Sequence, residues 1–142
     1  MVGILIIIRF SYPLFFPIYW VATGSMEPTI HQGAYIMASK MHYKIFNPKR
    51  NDIGMFKPID GVSITKPWTH RIIGIGGDVI SIQNGIVTVN GEKTFFPEIN
   101  HINLEATVKK GYIFQKGDHR ETLVGELSED EIIGKVIYFF SK

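Results

Sequence analysis

A serine placed between a glycine and a nearby proline can be held on a tight turn with its hydroxyl exposed. The run Thr23-Gly24-Ser25-Met26-Glu27-Pro28-Thr29-Ile30 has that order. Held against a substrate carbonyl, Ser25 Oγ could carry out acyl transfer, and the Ser25 backbone N–H and the Thr23 hydroxyl are candidate donors to the developing oxyanion. A serine hydroxyl is a poor nucleophile until a neighbouring base accepts its proton. Two side chains further along qualify by type, His70 and Lys66. A regular strand through this stretch sets residues 66, 68 and 70 on one face, so both could reach one pocket. Histidine starts near ~6.5 and is ready at neutral pH, whereas a lysine base must fall far from ~10.4. By themselves, a Gly-Ser pair near a proline is more often an ordinary turn, and a lone histidine in a strand more often structural.

The elements that must position these groups are mostly β. Beyond residue 30, short runs of β-branched and aromatic residues alternate with turn signals, and no long stretch has helical period. Strands are predicted over 34–37, 52–56, 62–65, 70–75, 112–116 and 132–140. The clearest segment is DVISIQNGIVTVNGE (78–92), where two alternating runs flank Asn84-Gly85, a dipeptide that closes two-residue hairpins. Residues 91–110 read as polar and irregular, and the loop 40–51, with Lys40, Lys44, Lys49 and Arg50, as a solvated or lipid-headgroup-facing loop.

The 142 residues leave room for one compact domain. Hydrophobic residues make up 45% of the chain, and the excess sits in the first twenty residues. Residues 2–20 carry a single charge, Arg9, and approach the ~20 apolar residues that span a bilayer. Pro13 and Pro17 should kink that helix, and Tyr19 and Trp20 suit an interfacial belt. The expected organisation is therefore a membrane anchor over 1–22 and a β-rich catalytic domain over 23–142. A segment lying on the membrane surface or a buried core element is the alternative for the first part. A net charge of +2 without a basic stripe argues against a nucleic-acid partner. The absence of cysteine excludes a disulfide framework, a thiolate metal site and a cysteine nucleophile. No cofactor or metal is expected.

Five segments in order give the chain a resemblance to a known family. TGSMEPTI resembles the nucleophile box of the type I signal peptidases, which place a membrane anchor just ahead of a Ser-Met-x-Pro-Thr serine. NDIGMFK (51–57) resembles the strand that follows it, and HRIIGIGGDVISIQNGIVTVNGE (70–92) the base-bearing box and hairpin. KGDHR (116–120) resembles the Gly-Asp-Asn-Arg box, and EIIGKVIYFF (131–140) the closing strand. The resemblance implies an antiparallel β-sheet, barrel-like catalytic core behind an N-terminal transmembrane helix, and a serine endopeptidase that removes signal peptides from exported preproteins. It ranks His70 above Lys66, because His70 stands where bacterial members mostly have a lysine before an arginine. Histidine there is similar to the archaeal and endoplasmic-reticulum branch.

The resemblance weakens at the group that would orient the histidine. A histidine base is usually oriented by a carboxylate, and relatives carry an acidic residue several positions after the Gly-Asp-Asn-Arg start. Here the loop is shortened, and Asp118 and Glu121 are the candidates, with Glu126 behind them. Asp118 also has an architectural reading, His119 replaces the family's asparagine, and Arg71 could pair with Asp78 to brace the site. The implied setting is a single-pass membrane protein with its catalytic domain on the extracytoplasmic side. Its partners would be preproteins and the lipid bilayer, and it would act as a monomer or beside export machinery. Two rivals stand beside this reading: a catalytically inactive membrane-anchored β module, and a LexA-like self-cleaving serine protease.

Overall fold

The computed structural model describes residues 14–59, 66–96, 99, 102–120, 122 and 124–140. Eleven strands in these residues form two sheets, and every pairing is antiparallel. The larger sheet takes β1 (Ile18–Trp20), β2 (Tyr35–Ser39), β11 (Ile132–Phe140), β3 (Ile53–Phe56), β4 (Trp68–Ile75), β9 (Tyr112–Lys116) and β10 (Val124–Ser128) in that spatial order. The smaller takes β7 (Glu92–Lys93), β6 (Ile86–Val89), β5 (Val79–Gln83) and β8 (Leu104–Thr107). A short helix, α1 (His42–Ile45), interrupts the basic loop before β3.

The hairpin read from Asn84-Gly85 is present. Both residues adopt positive φ, 49° and 83°, and β5 pairs with β6 from Gln83–Ile86 to Ile80–Val89. The mirror-image turn matches the right-handed twist of its strands, which is why this dipeptide closes it. Strands β2, β3, β4, β9 and β11 coincide with predicted runs to within two residues. The strand predicted over 62–65 lies outside the described residues. Besides β1 and the two-residue β7, two strands were not foreseen, β8 within the stretch read as irregular and β10 after the shortened loop. Neither β8 nor β10 carries a fully buried residue, so their alternation of apolar and polar types is weak.

The larger departure concerns the anchor. Among the described residues no helix is long and apolar enough to cross a membrane. Residues 1–13 lie outside the description, and Ile18–Trp20, read as the carboxyl end of a helical anchor, form an edge strand instead. Pro17 disfavours helix at the residue before it and cannot continue a helix itself. The β-branched and aromatic residues that follow find a ready ladder on β2, with Ile18 opposite Met37 and Trp20 opposite Tyr35. The sheet thus starts ahead of residue 22, where the anchor was expected to end.

Three apolar clusters hold the sheets. One gathers Met26, Ile30, Ala34, Ile36, Ala38 and Met55 beneath the turn that carries Ser25. A second fills the space between the sheets with Ile73, Ile80, Ile82, Val87, Phe96 and Phe114. A third packs Phe56, Ile72 and Ile113 against Trp68 and Leu127. β4 and β9 therefore feed alternate residues to different clusters: Ile72 and Ile113 go to one face, Ile73 and Phe114 to the other.

Gly85 should be the least replaceable residue of the smaller sheet. Gly85→Val forces a β-branched side chain into a positive φ and should cost about 1–2 kcal/mol, read as a lower thermal midpoint. An unchanged midpoint would show that the turn tolerates another geometry.

Candidate active site

Ser25 sits in a run of consecutive turns between β1 and β2. Glu27 N–H donates to Gly24 O (3.0 Å) and Ile30 N–H to Met26 O (2.9 Å). The Glu27–Pro28 peptide bond is cis. Met26 and Ile30 are each 1% exposed and anchor the turn in the core from either side, and burying such a side chain contributes ~1.5–3 kcal/mol. Serine, the residue between the anchored positions, is left half-buried at the surface.

The turn is clamped from the other side by the chain after β9. His119 N–H donates to Ser25 O (3.0 Å). Gly117 lies so close that a Cβ there would overlap Ser25 O and the Thr122 side chain, so only glycine fits. Next to this contact, Asp118 is 2% exposed and accepts from Arg71 through both oxygens, Nε–Oδ1 at 2.9 Å and Nη2–Oδ2 at 2.6 Å. The Thr29 hydroxyl also donates to Asp118 Oδ2, and Arg71 Nη1 reaches Asn51 O at 2.9 Å. The expected Arg71–Asp78 pair does not form; Asp78 instead takes Arg50 in a two-pronged contact, both distances 2.7 Å. Arg71 points to the face of β4 that carries the turn after β9, which is why Asp118 claims it.

His70 occupies the other face of β4. It is buried, and its ring meets that of Trp68 edge-on at 4.9 Å. Its Nδ1 is hydrogen-bonded to Gln115 Oε1. Ile72 is directly opposite Gln115 in the β4–β9 register, so His70 and Gln115 form a diagonal cross-strand pair. Burial lowers the His70 pKa below 6.5 and the charge on Lys116 lowers it further, against opposing contributions from the Gln115 hydrogen bond and Asp118. The imidazole is therefore neutral at pH 7, the form a base requires.

Ser25, His70, Thr23, Lys66, Gln115 and Thr122 all line one cavity of about 590 Å³, whose walls are otherwise largely apolar and include Ile36, Met55 and Leu127. Both base candidates thus border the space beside the serine, Lys66 from an exposed position and His70 from a buried one. Of the acid candidates, Asp118 is committed to Arg71 and Thr29, Glu121 lies outside the described residues, and Glu126 accepts from Lys109 N–H at 2.7 Å. Among the described residues no cluster of histidine and carboxylate side chains could hold a metal ion.

Three contributors escaped the sequence. Gln115 and Lys116 lie in a strand whose last four residues are all buried, one face toward the cavity and the third apolar cluster and the other toward the second sheet. A glutamine and a lysine ending the apolar run YIF were the available signal. Lys116 is fully buried; its Nζ donates to Gly117 O (2.6 Å) and His119 O (3.0 Å) and lies over the Phe96 ring. Burial brings its pKa down to about 8, with Asp118 opposing. Thr122 Oγ1 lies 2.7 Å from His119 O and 3.0 Å from Gly117 O, so its hydroxyl closes the same turn.

The chain is similar to known proteins over most of its length. A family model described as signal peptidase, peptidase S26, matches residues 1–140. The chain is 28% identical over 135 residues to a probable signal peptidase I-1 of Synechocystis sp., covering 85% of this chain and 69% of that protein. It is 28% identical over 160 residues to signal peptidase I T of Bacillus subtilis, covering 97% and 81%. Against the chloroplastic thylakoidal processing peptidase 1 of Arabidopsis thaliana it is 30% identical, over 83% of this chain and 40% of that one. A crystal structure of a signal peptidase I from Enterococcus faecalis superposes with a TM-score of 0.51 at 17% identity, covering 64% of this chain and 97% of that chain, a likeness of fold alone.

Two measurements probe the brace and the buried lysine. Asp118→Ala leaves the Arg71 guanidinium buried without its partner and should cost about 3–5 kcal/mol; a loss below 1 kcal/mol in chemical denaturation would mean that Arg71 is solvated in its place. Lys116 binds its proton less tightly folded than unfolded, so between pH ~8 and ~10.5 the unfolded chain carries more protons and stability should rise with pH. That rise should be absent from Lys116→Met, compared by thermal midpoints across the window.

Proposed function

The chain belongs to the signal peptidase family, peptidase S26, and from that premise we propose that it cleaves signal peptides from exported preproteins with Ser25 as nucleophile and His70 as general base. The observation that carries this reading is the cavity in which the turn-borne Ser25 and the buried, neutral His70 share a wall. Ser25 Oγ attacks the scissile carbonyl while His70 takes its proton. The oxyanion that forms is met by the Ser25 N–H and the Thr23 hydroxyl. Collapse breaks the peptide bond and His70 returns the proton to the leaving amine. A water, deprotonated by His70, then hydrolyses the acyl-enzyme and regenerates Ser25. The largely apolar lining, with Ile36 and Met55, suits small residues at the first and third positions before the cut.

We assign the residues ahead of β1 to membrane attachment, with the catalytic domain on the extracytoplasmic side, where the substrate emerges. The edge of the larger sheet supports this. Ile18, Met37 and Tyr138 form one cross-strand row and Trp20, Tyr35 and Phe140 another, with Ile18, Trp20, Tyr138 and Phe140 exposed. An apolar edge directly after the anchor suits contact with acyl chains. The inactive module and the self-cleaving protease draw no support from the relatives.

Detergent-solubilised chain should cleave a preprotein, and Ser25→Ala and His70→Ala should each lower kcat by at least about 10²–10⁴-fold. Cleavage surviving both changes rejects the mechanism. Activity should rise on an acid limb below about pH 6.5, since lowering the His70 pKa keeps the base unprotonated further into acid. Activity that begins only above about pH 8 points away from His70.

A further inference from the structure

A histidine base works only if the nitrogen facing the nucleophile is the one without a proton. In neutral imidazole that choice is set by what the other nitrogen bonds to. Serine hydrolases usually settle it with a carboxylate, which also stabilises the imidazolium formed during the reaction. The described acid nearest to this role, Asp118, has both oxygens occupied by Arg71 and one shared with Thr29, on the opposite side of β4. The group at His70 Nδ1 is the amide of Gln115.

We propose that Gln115 is the positioning residue of His70: its Oε1 accepts the Nδ1 proton, fixes the ring in the tautomer with Nε2 bare, and so makes Nε2 the basic nitrogen. The inference rests on the reading of His70 as the base. The amide is placed for this by three features. Gln115 is 5% exposed, so water does not compete for its oxygen. The β4–β9 register holds it diagonal to His70. Its Nε2 is turned to the β10 side, where Gly125 stands opposite Gln115 and a Cβ at Gly125 would only just touch that nitrogen. An aliphatic residue at 115 would fill the space without holding the ring, and a carboxylate would hold it and add a charge.

The charges that act on His70 come from its neighbours on both sides. β9 and the turn after it contribute Lys116 and Asp118, while Lys66 lines the same cavity from its rim and β3 opposes His70 with the uncharged Gly54. With a neutral amide rather than a carboxylate at Nδ1, the hydrogen bond to Gln115 offsets only part of what burial costs an imidazolium. Gln115→Glu changes that one feature at constant shape.

The test uses the full chain in detergent. Histidine-selective ¹⁵N labelling, with the His70 signals assigned by their loss in His70→Ala, should show the proton on Nδ1 and none on Nε2 at pH 7. Gln115→Glu should move the acid limb up by about one pH unit or more. Gln115→Leu should lower kcat about 10- to 100-fold with KM within about twofold. A proton on Nε2 overturns the proposal, as does an acid limb that stays in place in a folded Gln115→Glu, or an undiminished kcat in Gln115→Leu. Failure of the underlying reading is distinct, because full activity in His70→Ala removes the base whatever occupies position 115.

Discussion

The carboxylate of Asp118 is the point on which the site's geometry depends. It is buried, and a buried carboxylate persists only when its charge is matched and its oxygens are satisfied. Arg71 supplies the charge from β4, and Thr29 supplies a hydroxyl from the turns around Ser25. Three segments far apart in the chain are thereby fixed to one another: the turn that carries Ser25, the strand that carries His70 and the turn after β9. Backbone contacts repeat the constraint at shorter range, with His119 N–H on Ser25 O and Gly117 packed where no Cβ fits. Because so many partners converge on it, Asp118 is committed to architecture rather than to His70.

The period of two along a strand then separates holding from reacting. On β4, His70 and Ile72 face one side while Arg71 and Ile73 face the other; on β9, Gln115 lies with Ile113 and Lys116 with Phe114. One side opens on the cavity, and the other carries the ion pair and the buried lysine against Phe95 and Phe96, which follow β7 of the second sheet. Lys116 gives its protons to the carbonyls of Gly117 and His119, the two residues whose backbone clamps Ser25. The second sheet is thus the lid that keeps this bracing face dry.

Local patterns made much of this visible in advance. The Asn84-Gly85 hairpin and the strands at 112–116 and 132–140 follow from turn chemistry and β-branched runs, and the family's boxes place Ser25 and His70. What stayed hidden depends on non-local register. Nothing near Gln115 in sequence indicates that it lands diagonally from His70, and nothing near Arg71 distinguishes Asp78 from Asp118 as its partner; only the pairing of β4 with β9 decides both. Ile18–Trp20 were ambiguous for another reason. Apolar and aromatic residues after a proline suit a membrane interface and an edge strand equally, and the free ladder of β2 resolves the choice.

As the base we propose, His70 relaxes a demand on the cavity. A lysine in the same role must be driven several units below ~10.4, which needs a deep apolar enclosure, while an imidazole near ~6.5 needs only to be kept neutral. Burial against Trp68 and the nearby charge of Lys116 are sufficient for that, even in a pocket that must stay open to a polypeptide. A carboxylate partner would work against it by favouring the protonated ring. An uncharged amide orients the imidazole while favouring the protonated ring by less than burial disfavours it, and the aspartate that another site might use for orientation is left free here to hold the strands together.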